Sequence, residues 1–281
     1  MHSQDTSDSV VQFFFVGPGK CGTSWIYNFV RRHELASVPN LKEPHIVDLP
    51  SRAQNKALLA LYKTDGPRCD FSNTYSHDIA NPATIVAHNR NARAIITRRR
   101  PSQRIVSQYA YYQRTRTSNE TLAEYLDRGD DLDMIGRSDY RPIINRYLEH
   151  LTPANVLVLP LELLREDAQA YADRLATFLG GPAPTLGEDD YTAVRPASAA
   201  RSRVLAALGK RVAIQLRAGR YYGALSRLKE SSLINRSLFR EGVDLPEPDF
   251  GRANARVRAL DVAYPAVVEE FCDLPGKGLN L

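Results

Sequence analysis

Cysteine is scarce in this sequence: Cys21, Cys69 and Cys272 are three in 281 residues, an odd and widely spaced set. That excludes a disulfide framework and a paired Cys-x-x-Cys metal site, and it fits a reducing compartment. Long apolar runs are missing as well, none approaching the roughly 20 residues that a membrane-spanning helix needs. Residues 1–9 are polar and lack the basic and then apolar regions of a secretory signal, so a cytoplasmic protein is expected. No His, Cys or carboxylate cluster has metal-ligand spacing, so no metal is expected. Internal repeats and low-complexity stretches are likewise absent.

What is present is an ordinary globular composition, 43% hydrophobic and 25% charged, in a length that suits one large α/β domain with an appendage. The formal charge of +5 favours anionic ligands without demanding nucleic acid.

Val10 to Val16 is a continuous apolar run that ends at glycines, the pattern of a strand buried on both faces of a parallel sheet. After the loop from Gly17 to Gly22, Trp25, Ile26, Phe29 and Val30 share one helical stripe that closes near Arg31, Arg32 and His33. The strand-to-helix pattern recurs at Ala94 to Thr97, with Pro101 in the first turn of the next helix, which carries Ile105, Val106, Tyr109 and Tyr112. A further strand is expected at Asn155 to Leu159, followed by a helix through Tyr171, Leu175 and Phe178 that stops at Gly180 and Gly181. Strands alternating with helices imply a parallel sheet covered on both sides. From Ser202 to Arg240 no strand is apparent, and Glu230 is the single acid among many Lys and Arg. A solvated helical face, a cofactor lid and a surface for an anionic partner are all compatible with that segment.

The loop Gly17-Pro18-Gly19-Lys20-Cys21-Gly22-Thr23-Ser24 sits where a buried strand turns into a helix, so backbone N–H groups and the positive end of the helix dipole converge there. Glycines let an anion approach the backbone, Lys20 adds a full charge, and the Thr23 and Ser24 hydroxyls can donate to the same oxygens. A Walker A loop would place lysine directly after the last glycine, where Thr23 stands instead. A dinucleotide fingerprint would need an acid at the end of the following strand, and none is there. In Gly17, Lys20, Gly22, Thr23 and Ser24 the loop resembles the 5′-phosphosulfate loop of sulfotransferases that use 3′-phosphoadenosine-5′-phosphosulfate (PAPS). That resemblance implies a cofactor site formed by Gly17, Gly19, Lys20, Cys21, Gly22, Thr23, Ser24 and Trp25.

A separate 3′-phosphate needs a second anion site, and Arg98-Arg99-Arg100-Pro101 supplies guanidinium groups at a strand end. Arg99, Pro101, Arg104, Ser107 and Tyr109 resemble the family's 3′-phosphate segment, in which a serine follows the first arginine by eight positions. The spacing back from Ser107 selects Arg99 among the three arginines.

Sulfuryl transfer needs an in-line nucleophile, a base on the acceptor side and positive charge on the departing oxygen, the last being a role for Lys20. Lys42-Glu43-Pro44-His45 resembles the segment in carbohydrate-type members where a glutamate is the base and a histidine two positions later lines the site. The resemblance implies Glu43 as base, His45 as accessory or rival, and Lys42 as an electrostatic helper. Asp70 to Tyr75 resembles a further family segment, with Phe71 and Asn73 replacing its frequent lysine and proline, and makes Ser72 and Tyr75 pocket candidates.

The expected fold is α/β and P-loop-like: three layers with a central parallel sheet flanked by helices, plus a mainly helical C-terminal segment. Residues 1–9 form a flexible N-terminus, 10–195 the PAPS-binding core and 196–281 a basic helical extension, with 195–201 as a candidate loop over the cofactor. The partners implied are PAPS and an acceptor hydroxyl or amine, of a carbohydrate or natural product, and no nucleic acid. Peripheral membrane contact by the basic surface stays open, and nothing in the sequence sets an oligomeric state. A nucleotide kinase or NTPase, and a non-catalytic polyanion binder built on 202–240, are the competing readings; Mg-ATP preference would mark the first and steeply salt-dependent binding the second.

Overall fold

The computed structural model describes residues 10–39, 42–48, 59–62, 66–78, 81–115, 120–128, 134–191, 198–200, 239–241 and 248–275, with 211, 212, 215, 216, 221 and 224 besides. In chain order the elements are β1 (Phe13–Gly17), α1 (Thr23–Arg32), β2 (Cys69–Phe71), α2 (Asn81–His88), β3 (Arg93–Arg98), α3 (Pro101–Thr115), α4 (Leu122–Asp127), α5 (Tyr140–Leu148), β4 (Val156–Pro160), α6 (Leu161–Glu166), α7 (Ala168–Leu179), α8 (Glu188–Tyr191), β5 (Ser198–Ala200), β6 (Phe239–Glu241) and α9 (Asn254–Glu270). They fall into two compact units: residues 1–100, 137–192 and 262–281, and residues 101–136 with 193–261.

The first unit is built on a parallel sheet of order β2-β1-β3-β4. All five residues of β1 are buried, as the unbroken run of Phe13, Phe14, Phe15 and Val16 requires of a strand with both faces covered. One face packs Phe13, Phe15 and Phe71 against Ile26 and Phe29 of α1 and Phe178 of α7. Each such side chain contributes about 1.5–3 kcal/mol relative to exposure. The Asp167 carboxylate caps α7 by accepting from the Ala170 N–H at 2.9 Å, and Gly180, at φ 93°, ends it. The strands and helices expected at the two glycine- and arginine-bearing corners and before Gly180 are therefore present.

β2, α2 and α5 had no clear signature in the sequence. β2 is three residues long with a charged residue, Asp70, at its centre, so no apolar run announces it. Its partner β1 supplies the context instead, pairing Phe13, Phe14 and Phe15 with Cys69, Asp70 and Phe71.

In the second unit Ile105 of α3 packs with Leu122, Tyr125 and Leu126 of α4 and Val257 of α9. α4 starts with a capping box, in which Thr121 Oγ1 accepts from the Glu124 N–H at 3.2 Å and the Glu124 carboxylate accepts from the Thr121 N–H at 2.7 Å. Within the mainly helical C-terminal segment, Ser198–Ala200 and Phe239–Glu241 form an antiparallel pair that the sequence did not announce. Strands of three residues are too short to show alternation, and their partners lie far apart in sequence. Most of 202–240 lies outside the described residues; those within it at 211, 212, 215, 216 and 224 are helical. Among the described residues no helix is long and apolar enough to cross a membrane.

Candidate active site

The site grows from the carboxyl ends of β1 and β3, adjacent strands of the first unit. After β1, Gly17 turns at φ 95° with the Asn73 carbonyl pressed against it; a Cβ there would lie 2.5 Å from Asn73 O. Gly22, at φ 82°, is the N-cap of α1, and a Cβ on it would meet Leu161 Cδ1 at 2.7 Å. Between them Lys20 also takes a left-handed backbone, at φ 74°. The loop thereby bends tightly into the first turn of α1, and that turn carries no acid to compete for an anion.

A second lysine reaches the same place. Lys42 Nζ donates to Ser24 Oγ at 3.0 Å and to Thr23 Oγ1 at 3.3 Å. Hydroxyls that accept from an ammonium keep their own protons free to donate, as oxygens of a phosphate require.

Lys42 leads into the acid-bearing loop. Glu43 Oε1 accepts from Asn73 Nδ2 at 2.8 Å, and its backbone N–H donates to Phe71 O at 3.0 Å. His45 Nδ1 lies 3.0 Å from Thr74 Oγ1, and its ring meets Tyr75 edge-on with centroids 6.0 Å apart. Glu43 and His45 have φ of 63° and 54°. Among the described residues, four non-glycines adopt positive φ, and Lys20, Glu43 and His45 are three of them. Such backbones persist only where the surroundings impose them, and they gather at functional sites.

After β3 the three arginines part company. Arg98 is buried, its Nη1 and Nη2 donating to the carbonyls of Val267 and Val268 at 2.7 and 3.0 Å. Arg99 turns to the loop: its Nη1 lies 3.5 Å from Lys20 O, and its backbone is held by Tyr140, whose hydroxyl donates to Arg99 O at 2.6 Å. The Arg100 N–H donates to Glu162 Oε1 at 2.9 Å. Burial, and after it the neighbouring Arg165, pulls the Arg99 guanidinium below its usual range. A guanidinium short of water with a second cation beside it gains from an anion.

The structure thus brings together Lys20, Thr23, Ser24, Glu43 and Arg99, with Gly17 and Gly19 lining the loop. Cys21 is buried, its Sγ 3.8 Å from both Gly19 O and Tyr140 OH. Trp25 stacks on Phe29 at 4.7 Å and donates its indole N–H to Asp190 O at 2.7 Å. Ser72 and Tyr75 are not pocket residues: both are fully buried and hydrogen-bonded to Asp70. Ser107 lies on α3, in the second unit, where Arg104 is buried with its Nη1 donating to Met134 O at 3.0 Å. Asn73, Tyr140 and the link from Lys42 to the hydroxyls were not read from the sequence. The only hint at Asn73 was that an amide stands where the family pattern has proline. Among the described residues no group of three His, Cys, Asp or Glu side chains converges as metal ligands do.

A parallel α/β sheet carrying a glycine-lysine loop beside a carboxylate is an arrangement compatible with group transfer. The family model of the sulfotransferase domain matches residues 11–194, and the chain belongs to that family: it is a sulfotransferase, which moves a sulfuryl group to an acceptor. No curated protein matches the sequence. A sulfotransferase from Alicyclobacillus acidocaldarius is similar in structure, with a TM-score of 0.56 and 20% identity over 80% of this chain and 95% of that one. Mouse sulfotransferase SULT7A1, solved in complex with PAP, has a TM-score of 0.47 and 21% identity over 65% of this chain and 63% of its own. The sulfotransferase domain from the curacin biosynthetic pathway has a TM-score of 0.40 and 13% identity, over 66% of this chain and 79% of that domain. The bacterial likeness shows the shared fold.

Proposed function

We propose that the chain takes the sulfuryl group from PAPS and passes it to an acceptor hydroxyl or amine by single displacement, with no metal. The observation that carries this reading is the approach of Arg99 Nη1 to Lys20 O, which sets two cationic corners side by side in one unit. Two such anion-binding corners, one after each strand, suit a nucleotide with anionic groups at both its 5′ and 3′ positions.

Lys20, Thr23, Ser24 and the N-terminus of α1 hold the 5′-phosphosulfate. Arg99 takes the 3′-phosphate, with Ser107 assigned to it by the sequence pattern alone. Glu43 accepts the acceptor proton as the acceptor oxygen or nitrogen bonds to sulfur. The bond between sulfur and the bridging phosphate oxygen breaks in the same step, and Lys20 stabilises the charge left on that oxygen. His45 orders the acceptor side. Lys42 keeps the Thr23 and Ser24 hydroxyls turned to donate. The acceptor is a carbohydrate or natural product, in keeping with the Lys42-Glu43-Pro44-His45 segment, and the protein acts in the cytoplasm.

Calorimetry with 3′-phosphoadenosine-5′-phosphate (PAP), ADP and Mg-ATP tests the donor. PAP is expected to bind at least about tenfold more tightly than ADP, the effect of one charge-assisted contact. Equal affinities would reject the 3′-phosphate assignment, and preference for Mg-ATP would reject the donor altogether. Glu43→Gln is expected to lower turnover at least about 100-fold with PAP affinity kept; wild-type turnover would remove Glu43 as the base.

A further inference from the structure

Asp70 is fully buried at the centre of β2, and neither the family pattern nor the transfer step gives it a task. Burial raises its carboxyl above the usual range, against hydrogen bonds from Ser72, Tyr75 and the Ile46 N–H that pull it down. A buried acid of this kind is tolerated only with its lone pairs filled, so the partners that fill them are informative.

They all belong to one place. The Ile46 N–H donates directly to Asp70 Oδ2 at 3.1 Å. The His45 N–H donates to Ser72 Oγ at 2.9 Å, and the Ser72 hydroxyl in turn donates to Asp70 Oδ1. The Val47 N–H donates to Tyr75 OH at 3.2 Å, and that hydroxyl donates to Asp70 Oδ2 at 2.8 Å. Three successive amides, 45 to 47, therefore terminate on one carboxylate, one directly and two through a hydroxyl. His45, the first of the three, and Glu43, two residues before it, carry the left-handed φ values that need such restraint.

We infer that Asp70 is a positioning residue for sulfuryl transfer: its carboxylate gathers the amides of residues 45–47 and so fixes the loop that presents Glu43 to the acceptor. The inference rests on Glu43 being the base. The carboxylate form matters because all its partners donate. An amide of the same shape would turn an NH2 towards either Ser72 or the Ile46 N–H, leaving donors face to face. The phosphate loop at 17–24 is not among the partners of Asp70, so donor binding should be spared.

The test compares Asp70→Asn, Glu43→Gln and the double variant by steady-state kinetics, with PAP calorimetry counting competent sites. Asp70→Asn is expected to lower kcat at least about tenfold, as small displacements of a reacting group do, with PAP affinity and stoichiometry within about twofold of wild type. In the Glu43→Gln background the same change should lower residual turnover by less than about twofold, since both substitutions then disable one group. Wild-type kcat in Asp70→Asn beside a disabled Glu43→Gln would overturn the inference alone. So would multiplicative losses in the double variant, whereas a kcat loss matched by lost PAP stoichiometry marks unfolding and passes the decision to Ser72→Ala. Wild-type turnover in Glu43→Gln would overturn the base assignment and this inference with it. Should Asp70→Asn not fold, Ser72→Ala removes one relay only: reduced kcat at unchanged PAP affinity supports the inference, and wild-type kcat overturns it.

Discussion

Asn73 joins the two sides of the site: its side-chain N–H donates to Glu43 Oε1 at 2.8 Å, while its carbonyl closes over Gly17. Removing the amide in Asn73→Ala should release Glu43 and lower kcat about tenfold, the scale of one misplaced general base contact. Asn73→Asp should do something different. A second carboxylate there offers Glu43 no donor and repels it, so kcat should fall further than in Asn73→Ala. Equal kcat in the two variants would show that the Asn73 amide does not hold Glu43.

Arg98 and Arg99, neighbours in sequence, should fail in opposite ways. Arg99→Ala is expected to weaken PAP binding about 10- to 100-fold, the loss of a charge-assisted contact, with little change in melting temperature. Arg98→Ala leaves the Val267 and Val268 carbonyls without their donors. It should lower stability by about 2–4 kcal/mol, two such hydrogen bonds, while the folded fraction binds PAP normally. Thermal melts and calorimetry on both variants separate the two effects.

The two loop glycines differ in what blocks them. Gly22→Ala would meet the Leu161 Cδ1 methyl, a side-chain end that can be removed, whereas Gly17→Ala would meet the Asn73 backbone. Leu161→Ala should therefore partly rescue Gly22→Ala, leaving the left-handed backbone cost of about 1–2 kcal/mol. No single truncation should rescue Gly17→Ala. PAP affinity across the four variants checks this, and equal rescue at both positions would contradict the packing described.

Asp190 predicts an acid dependence of stability. Burial pushes its carboxyl up, but hydrogen bonds from the Gly187 N–H, His33 and Arg32 outweigh it and hold the group below the usual range. A depressed folded-state value means the stabilisation is present above the unfolded value, about 3.9, and is lost as pH falls through the folded one. Asp190→Asn should thus be clearly less stable than wild type at pH 7. The gap should narrow below about pH 4, because only there does the wild-type carboxyl become neutral. Denaturant midpoints at both pH values measure it.

The turn between β1 and α1 was legible because its determinants are local. Glycines, a lysine and two hydroxyls within eight residues, bounded by an apolar strand and an amphipathic helix, leave few alternatives. The sequence singled out Arg99 only through its spacing from Ser107, and in the structure the chain separates the neighbours, sending Arg98 to the Val267 carbonyl and Arg99 to Lys20 O. Asn73 was hidden because its meaning comes from Glu43, thirty residues away in sequence. β2 was hidden because Asp70 interrupts the hydrophobic run, and the reason a charge can sit there lies in amides 45–47, another part of the chain. Local chemistry could be read along the sequence; whatever depended on two segments meeting could not.

The close seat of the Asn73 carbonyl on Gly17 bears on how this enzyme could diverge. On the proposed function, a change at Asn73 or Thr74 that made room for a bulkier acceptor would shift that carbonyl and with it the first bend of the loop after β1. Acceptor breadth and donor grip would then be mechanically opposed at this one contact. Variants selected for larger acceptors should accordingly lose donor affinity first, and their compensating mutations should cluster in the turn that follows β1.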